Sequence, residues 1–241
     1  MKISILLPYK ENFTTSGAGA VSLFVSHISN QSKFKKFIKV FGNVSTKDLL
    51  DNNFINIDYI KNVFFSSSKS YVENFLSHKW VEDSDIIEIH NRPNYIKYIK
   101  KKFNKKIFLY FHNDPLKMDG SSTISDRMNL VHNVNKFLFN SVWSKNRFFK
   151  GLDKKLYSLN KFHVCYQSSD KTKIDFNKKE KIISFVGKLN TAKGYDLFGI
   201  AVKDILNKYK DWKAVVIGDE AREKLIFEHN RLKLFGFRSN K

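Results

Sequence analysis

The segment Phe185-Val186-Gly187-Lys188-Leu189-Asn190-Thr191-Ala192-Lys193-Gly194 runs from an apolar stretch through a tight turn, with a lysine on either side of it. Such a turn lies at the C-terminal edge of a parallel strand, where α/β sheets bind ligands, and two ammonium groups there can neutralise a diphosphate. In a chain this rich in lysine the same pair also reads as ordinary solvated loop charge. A second small-residue loop, Ser16-Gly17-Ala18-Gly19-Ala20, precedes a helix-like stretch. Glycines let backbone N–H groups approach a phosphate, and the helix N-terminus adds the positive end of its dipole. A plain flexible loop is the other reading. The loop is no dinucleotide fingerprint, since Ser22 stands where a third glycine or alanine belongs and ten residues separate Leu7 from Gly17. That counts against a dehydrogenase.

Two further groups are weaker candidates. Asp83-Ser84-Asp85 spells the D-x-D with which some transferases hold a divalent metal through oxygen ligands, but there the carboxylates follow a strand and here they precede one. A solvated loop is the plainer reading. His78, His90, His112, His132 and His163 are scattered without i, i+4 pairing, so no zinc site is expected.

The elements that must carry these residues alternate between short apolar runs and amphipathic stretches, the pattern of βαβ units and a mainly parallel sheet. Strands are expected at Ile3–Leu7, Phe37–Phe41, Ile55–Ile60, Ile86–His90, Ile107–His112, Phe137–Asn140 and His163–Tyr166. Helices are expected after Gly19, over Tyr71–Trp80 and over Trp143–Gly151. In Asn94–Lys106, Ile96, Ile99 and Phe103 share one helical face among lysines, which suits a helix covering the sheet or one lying on anionic lipid. The polar stretch Ser168–Lys181 reads as a linker. Beyond it, Ile182–Val186, a helix from Gly194 to Tyr209, Ala214–Ile217, a helix at Glu220–His229 and Leu232–Phe235 form a β-α-β-α-β run, half of a doubly wound sheet.

At 241 residues, 42% apolar and 15% aromatic, the chain can bury a large core, which excludes a disordered protein. No apolar run is long enough to cross a bilayer, and the single Cys165 suits a reducing compartment, so a cytoplasmic protein is expected. The formal net charge of +20 points to polyanionic or membrane partners, but only six of the 43 basic residues are arginine, a mix that AT-rich codons also produce. No helix-turn-helix, RNP-type or finger signature supports nucleic-acid binding.

FVGKLNTAKGYDLF resembles the opening of the second lobe in the retaining nucleotide-sugar transferases called glycosyltransferase family 4, which have the GT-B fold. The resemblance implies that Gly187, Lys188 and Lys193 hold the donor diphosphate and that Gly17 and Gly19 face it from the first lobe. Arginine is more usual in the family where Lys188 stands. Glu88-Ile89-His90-Asn91-Arg92-Pro93 and Tyr110-Phe111-His112-Asn113-Asp114 resemble strand ends that line the cleft, with His112 near the transferred sugar and His90 and Arg92 toward the acceptor. Phe139-Asn140-Ser141-Val142-Trp143-Ser144 and Val164–Asp170 resemble later turns of the first lobe, although Gln167 and Ser168 replace the usual Asn-Gly.

The implied architecture is α/β and GT-B-like: an acceptor lobe over 1–170, a linker over 171–181 and the first part of a nucleotide-sugar-binding lobe over 182–241. The family's paired glutamates would lie beyond Gly236, so the second lobe reads as incomplete. The implied function is transfer of a hexose from a nucleotide diphosphate sugar to a glycan or glycolipid, with retention and without a metal or other cofactor, in cell-surface polysaccharide biosynthesis. Its partners would be the nucleotide sugar, a glycan or lipid-linked acceptor and an anionic membrane face. A non-catalytic remnant that keeps only an acceptor-binding lobe is the alternative, and a basic nucleic-acid-binding protein is a third reading.

Overall fold

The computed structural model describes residues 1–44, 46–58, 66–168, 173–220, 223 and 225–238. The chain divides into two compact units, residues 1–169 and 170–240. In the first, strands β1 (Ile3–Leu6), β2 (Ile38–Gly42), β3 (Phe54–Asn56), β4 (Ile86–His90), β5 (Lys106–Phe111), β6 (Lys136–Phe139) and β7 (Phe162–Val164) form one sheet in the order β3-β2-β1-β4-β5-β6-β7. All its pairings are parallel. The order reverses between β1 and β4, which opens a crevice at their carboxyl ends.

Side-chain alternation divides the strands between two apolar layers. Leu6, Phe41, Ile87, Ile89, Leu109, Phe111, Phe137 and Phe139 face one layer, together with Tyr71 and Phe75 of α2 (Ser67–Leu76), Ile99 of α4 (Ile96–Lys102), Leu130 of α5 (Ile124–Asn133) and Phe148 of α6 (Val142–Phe149). Ile5, Leu7, Val40 and Tyr110 face the other, where α1 (Ala20–Gln31) lays down Val21, Phe24 and Val25. Within Asn94–Lys106 the α-helix is Ile96–Lys102, which covers the sheet: Ile96 and Ile99 are buried, its last turn carries Lys100, Lys101 and Lys102, and Lys106 already opens β5.

Several expectations need correction. The single helix at Tyr71–Trp80 is two, because His78 caps a new turn, α3 (Lys79–Glu82), by accepting from the Trp80 amide at 3.1 Å. Helix α5 was not read from the sequence, although Thr123 and Asp126 form a capping box at its start. Tyr59 and Ile60 of the expected third strand lie outside the described residues, as do Lys171 and Thr172 of the linker.

The second unit is a parallel sheet in the order β10-β9-β8, from β8 (Ile182–Val186), β9 (Lys213–Ile217) and β10 (Leu232–Leu234). Helix α7 (Tyr195–Lys208) covers one face, where Phe185, Tyr195, Phe198 and Val216 pack. On the other face Ile182 and Val186 stay 39% and 73% exposed. The expected helix at Glu220–His229 is not formed by its described residues; Ala221, Arg222 and Lys224 lie outside them. Long-range contacts win there over helix propensity. Glu220 accepts from the Asn190 amide at 3.0 Å, Glu223 from the Thr191 N–H at 2.9 Å, and Phe227 packs edge-on to Tyr195.

Gly218 ends β9 with φ +144°, and a Cβ there would stand 1.8 Å from the Gly187 carbonyl oxygen. Gly218→Ala should therefore destabilise the second unit by at least about 2 kcal/mol. Amide hydrogen exchange in β9 should accelerate by about 30-fold, and unchanged exchange would refute this account.

Candidate functional site

Strand β4 reads Ile-Ile-Glu-Ile-His, so Glu88 and His90 share one face while Ile87 and Ile89 enter the apolar layer on the other. Parallel pairing sets His90 opposite Tyr110 of β5. His112 follows directly, and its backbone is clamped from both sides. Its N–H donates to the Asn91 side chain at 2.8 Å, and its carbonyl accepts from the Asn140 amide at 2.7 Å. Asn91 holds its place with φ +53°, in the left-handed region that asparagine tolerates better than most residues. Asn140 is fixed in turn by Ser144, whose hydroxyl donates to it at 2.8 Å.

The side chains make one continuous hydrogen-bonded row. Glu88 lies 2.8 Å from Nε2 of His90, Nδ1 of His90 lies 2.7 Å from Nε2 of His112, and Nδ1 of His112 lies 2.7 Å from Nε2 of Gln167. One arrangement of donors satisfies every link: Gln167 donates to His112, neutral His112 donates to His90, and His90 donates to the Glu88 carboxylate. Burial, then the neighbouring His90, push the His112 imidazole down to about 2. Phe24 of α1 seals the row by meeting His112 edge-on at 5.3 Å, and Tyr110 stacks on it at 4.2 Å.

This geometry changes the roles expected for the two histidines. His90 is completely buried with both ring nitrogens engaged, so it presents no free ring atom to the acceptor expected there. His112 is 7% exposed, and a ligand hydroxyl reaches its Nδ1 only by displacing Gln167. Glu88 and Gln167 were not picked out as site residues. The period-2 pattern of β4 could have placed Glu88 beside His90, but nothing local marks Gln167, which stands 55 residues from its partner.

Arg92 lines a cleft of about 550 Å³ at the carboxyl edge, with Tyr9, Asn91, Asn94, Lys117 and Asp119. Asp114 also lines it. Arg147 grips its carboxylate at 2.9 and 3.2 Å and, through those bonds, holds it below the usual carboxylate range.

The glycine loop has a local explanation. Neither Gly17 nor Gly19 has positive φ, and Cβ atoms on them would meet Asn12 Nδ2 at 2.5 Å and Glu11 Oε1 at 2.7 Å. Glu11 accepts from the Ser22 amide at 3.2 Å, so a carboxylate occupies the anion position at the start of α1.

In the second unit Gly187 and Lys188 line a cleft of about 240 Å³ with Gly218, Asp219, Phe237 and Arg238. Lys193 sits on the same loop, outside that lining, where its N–H donates to the Asn190 side chain at 3.1 Å. Arg238 had no signal in the sequence. Asp83 and Asp85 lie at the opposite end of the first sheet, bonded to Lys2 at 3.0 and 2.7 Å, and no metal-ligand cluster occurs among the described residues.

Residues 167–234 match the family described as glycosyl transferases group 1. Among solved structures, HepE of Anabaena in complex with UDP-glucose superposes with a TM-score of 0.67 at 14% identity, over 99% of this chain and 70% of its own. The fold is that of the GT-B glycosyltransferases. The lipopolysaccharide outer core galactosyltransferase WaaB follows the same path with a TM-score of 0.59 at 19% identity, over 99% of this chain and 69% of its own. Sucrose-phosphate synthase of Thermosynechococcus elongatus does so with 0.65 at 9% identity, over 99% and 71%. No curated protein sequence matches the chain. No helix among the described residues is long and apolar enough to cross a membrane.

The depressed basicity of His112 gives a pH test. The unfolded imidazole takes a proton near its ordinary value of 6.5 and the folded one near 2, so stability is complete above 6.5 and falls as pH drops between the two. From pH 6.5 to 5 the protein should lose up to about 1.4 kcal/mol per pH unit through this group. Urea unfolding of His112→Gln should show a correspondingly flatter acid limb; an identical slope would contradict the assignment.

Proposed function

We propose that this protein transfers a hexose from a nucleotide diphosphate sugar to a glycan or glycolipid acceptor, with retention, as a family 4-type enzyme of cell-surface polysaccharide biosynthesis. The observation that carries the reading is the group 1 glycosyl transferase match over residues 167–234, within which Gly187 and Lys188 end β8 in an open cleft. In solved structures with this fold, HepE is complexed with UDP-glucose and WaaB is a galactosyltransferase. Residues 1–170 would hold the acceptor and 182–241 begin the donor lobe, joined by a linker over 171–181.

As the donor bond breaks, negative charge gathers on the departing diphosphate and positive charge at the anomeric carbon. Lys188 and Lys193, two ammonium groups on the β8–α7 loop, supply counter-charge to the diphosphate without a metal. Neutral His112 orients the sugar by accepting a hydrogen bond from a hydroxyl at Nδ1 when Gln167 moves aside, with Glu88 and His90 holding the ring. Arg92 faces the acceptor. The protein would act in the cytoplasm, with its basic surface able to rest on an anionic membrane face.

Calorimetric titration with UDP tests the donor assignment. Lys188→Ala and Lys193→Ala should each weaken UDP by about tenfold, the loss expected for one charge-assisted phosphate contact. UDP-glucose turnover should fall at least in proportion. Parent-like UDP affinity in both variants, or no binding of any nucleoside diphosphate by the parent, would end this reading.

A further inference from the structure

One surface of the first unit sets exposed phenylalanines among lysines. After α1 the chain makes the turn Ser32-Lys33-Phe34-Lys35-Lys36-Phe37 before β2 enters the core at Ile38, which is 5% exposed. Lys33 through Phe37 are exposed without a break, Phe34 at 37% and Phe37 at 46%. Phe34, Phe37, Phe176 and Phe237 are the phenylalanines exposed among the described residues, and two of them share this turn. It lies at the amino ends of the strands, away from the cleft at their carboxyl ends.

A lysine run is ordinary in a chain of net charge +20. Its surroundings here are not. No aspartate or glutamate stands between Glu11 and Asp48, a stretch with five lysines. Lys33, Lys35 and Lys36 have no ion-pair partner among the described residues. The carboxylates just before β3 and β4 are engaged: Asp83 and Asp85 are bonded to Lys2 at 3.0 and 2.7 Å, and Asp51 accepts from the Asn53 amide at 2.9 Å with its other oxygen buried. The backbone of the turn is also largely satisfied. The Phe34 N–H donates to the Ser32 hydroxyl at 3.1 Å, that of Lys35 to the Ser32 carbonyl at 3.0 Å, that of Phe37 to the Phe34 carbonyl at 2.7 Å and that of Ile38 to the Lys35 carbonyl. Such a turn enters an apolar phase without stranding those amides. Lys33 stands 5.2 Å over the Phe34 ring, and its long stem lets the ammonium stay at headgroup level while the ring sinks. Rings without a polar atom favour an apolar phase and the ammonium groups an anionic one; a bilayer of anionic lipid offers both in one plane.

We propose that Lys33–Phe37 is a tether to anionic lipid bilayers, with Phe34 and Phe37 set at the acyl-chain boundary and Lys33, Lys35 and Lys36 on the lipid phosphates. This names the surface for the membrane contact of the proposed function. It does not depend on sugar transfer, because none of its residues lines a cleft in either unit.

Sedimentation with vesicles of phosphatidylcholine, alone or mixed with phosphatidylglycerol, tests the tether. The parent should bind the anionic vesicles at least about tenfold tighter than the neutral ones. Lys33→Gln/Lys35→Gln/Lys36→Gln and, separately, Phe34→Ser/Phe37→Ser should each weaken that binding by about tenfold or more. Lys203→Gln/Lys208→Gln/Lys210→Gln removes the same charge from exposed positions of the second unit and should change it by less than about threefold. In Phe34→Trp, a variant that keeps the turn aromatic, tryptophan emission should shift to the blue with anionic vesicles only. Equal losses in the two lysine variants would reduce the effect to overall charge and overturn the proposal. So would parent-like binding by Phe34→Ser/Phe37→Ser, or an unshifted emission in Phe34→Trp if the serine variant does not fold. A parent that prefers duplex DNA to the vesicles, with the same variants losing the DNA, assigns the surface to nucleic acid and defeats the lipid assignment. UDP titration of the same preparations separates the two ideas: UDP failing while vesicle binding stands defeats only the transferase reading, and the reverse defeats only this one.

Discussion

The parallel pairing of β4 with β5 is the constraint on which the site rests. With His90 opposite Tyr110, the alternation of β4 sends Ile87 and Ile89 into the apolar layer and Glu88 and His90 toward α1. A slip of one residue would bury the glutamate among aliphatic side chains and present isoleucine to His112. The burial of the large aromatic layer therefore fixes, without any further device, the row of polar groups on the opposite face.

That row shows how polar chemistry survives inside a core. Each ring nitrogen of His90 and His112 has a partner, so desolvation is offset link by link. The outer link, Gln167, lies at the beginning of the segment that matches the glycosyl transferase family. A side chain from the end of the first unit thus covers Nδ1 of His112, the outer nitrogen of the row.

The two units differ in how much they bury. The first encloses its seven strands between helices on both faces, while the three strands of the second are covered on one. Open clefts sit at the carboxyl ends of strands in each, as the geometry of parallel α/β sheets requires.

Short-range pattern was enough to locate most of this architecture. Ile86–His90 and Ile182–Val186 are strands over the residues their apolar runs mark, because short runs rich in β-branched and aromatic residues suit a pleated surface. The glycine-lysine turn after β8 was equally legible, since Gly187 and Lys188 follow the strand directly in the sequence. What only the tertiary structure decided are the contacts made across many residues. They include the burial of His90, the Gln167 cover on His112, the Glu11 carboxylate at the start of α1, the pairing of Asp114 with Arg147, and the irregular path near Phe227. Each depends on which side chains the folded chain brings within about 3 Å to 5 Å of one another, a distance that hydrogen bonds and ring contacts require and that sequence spacing does not encode.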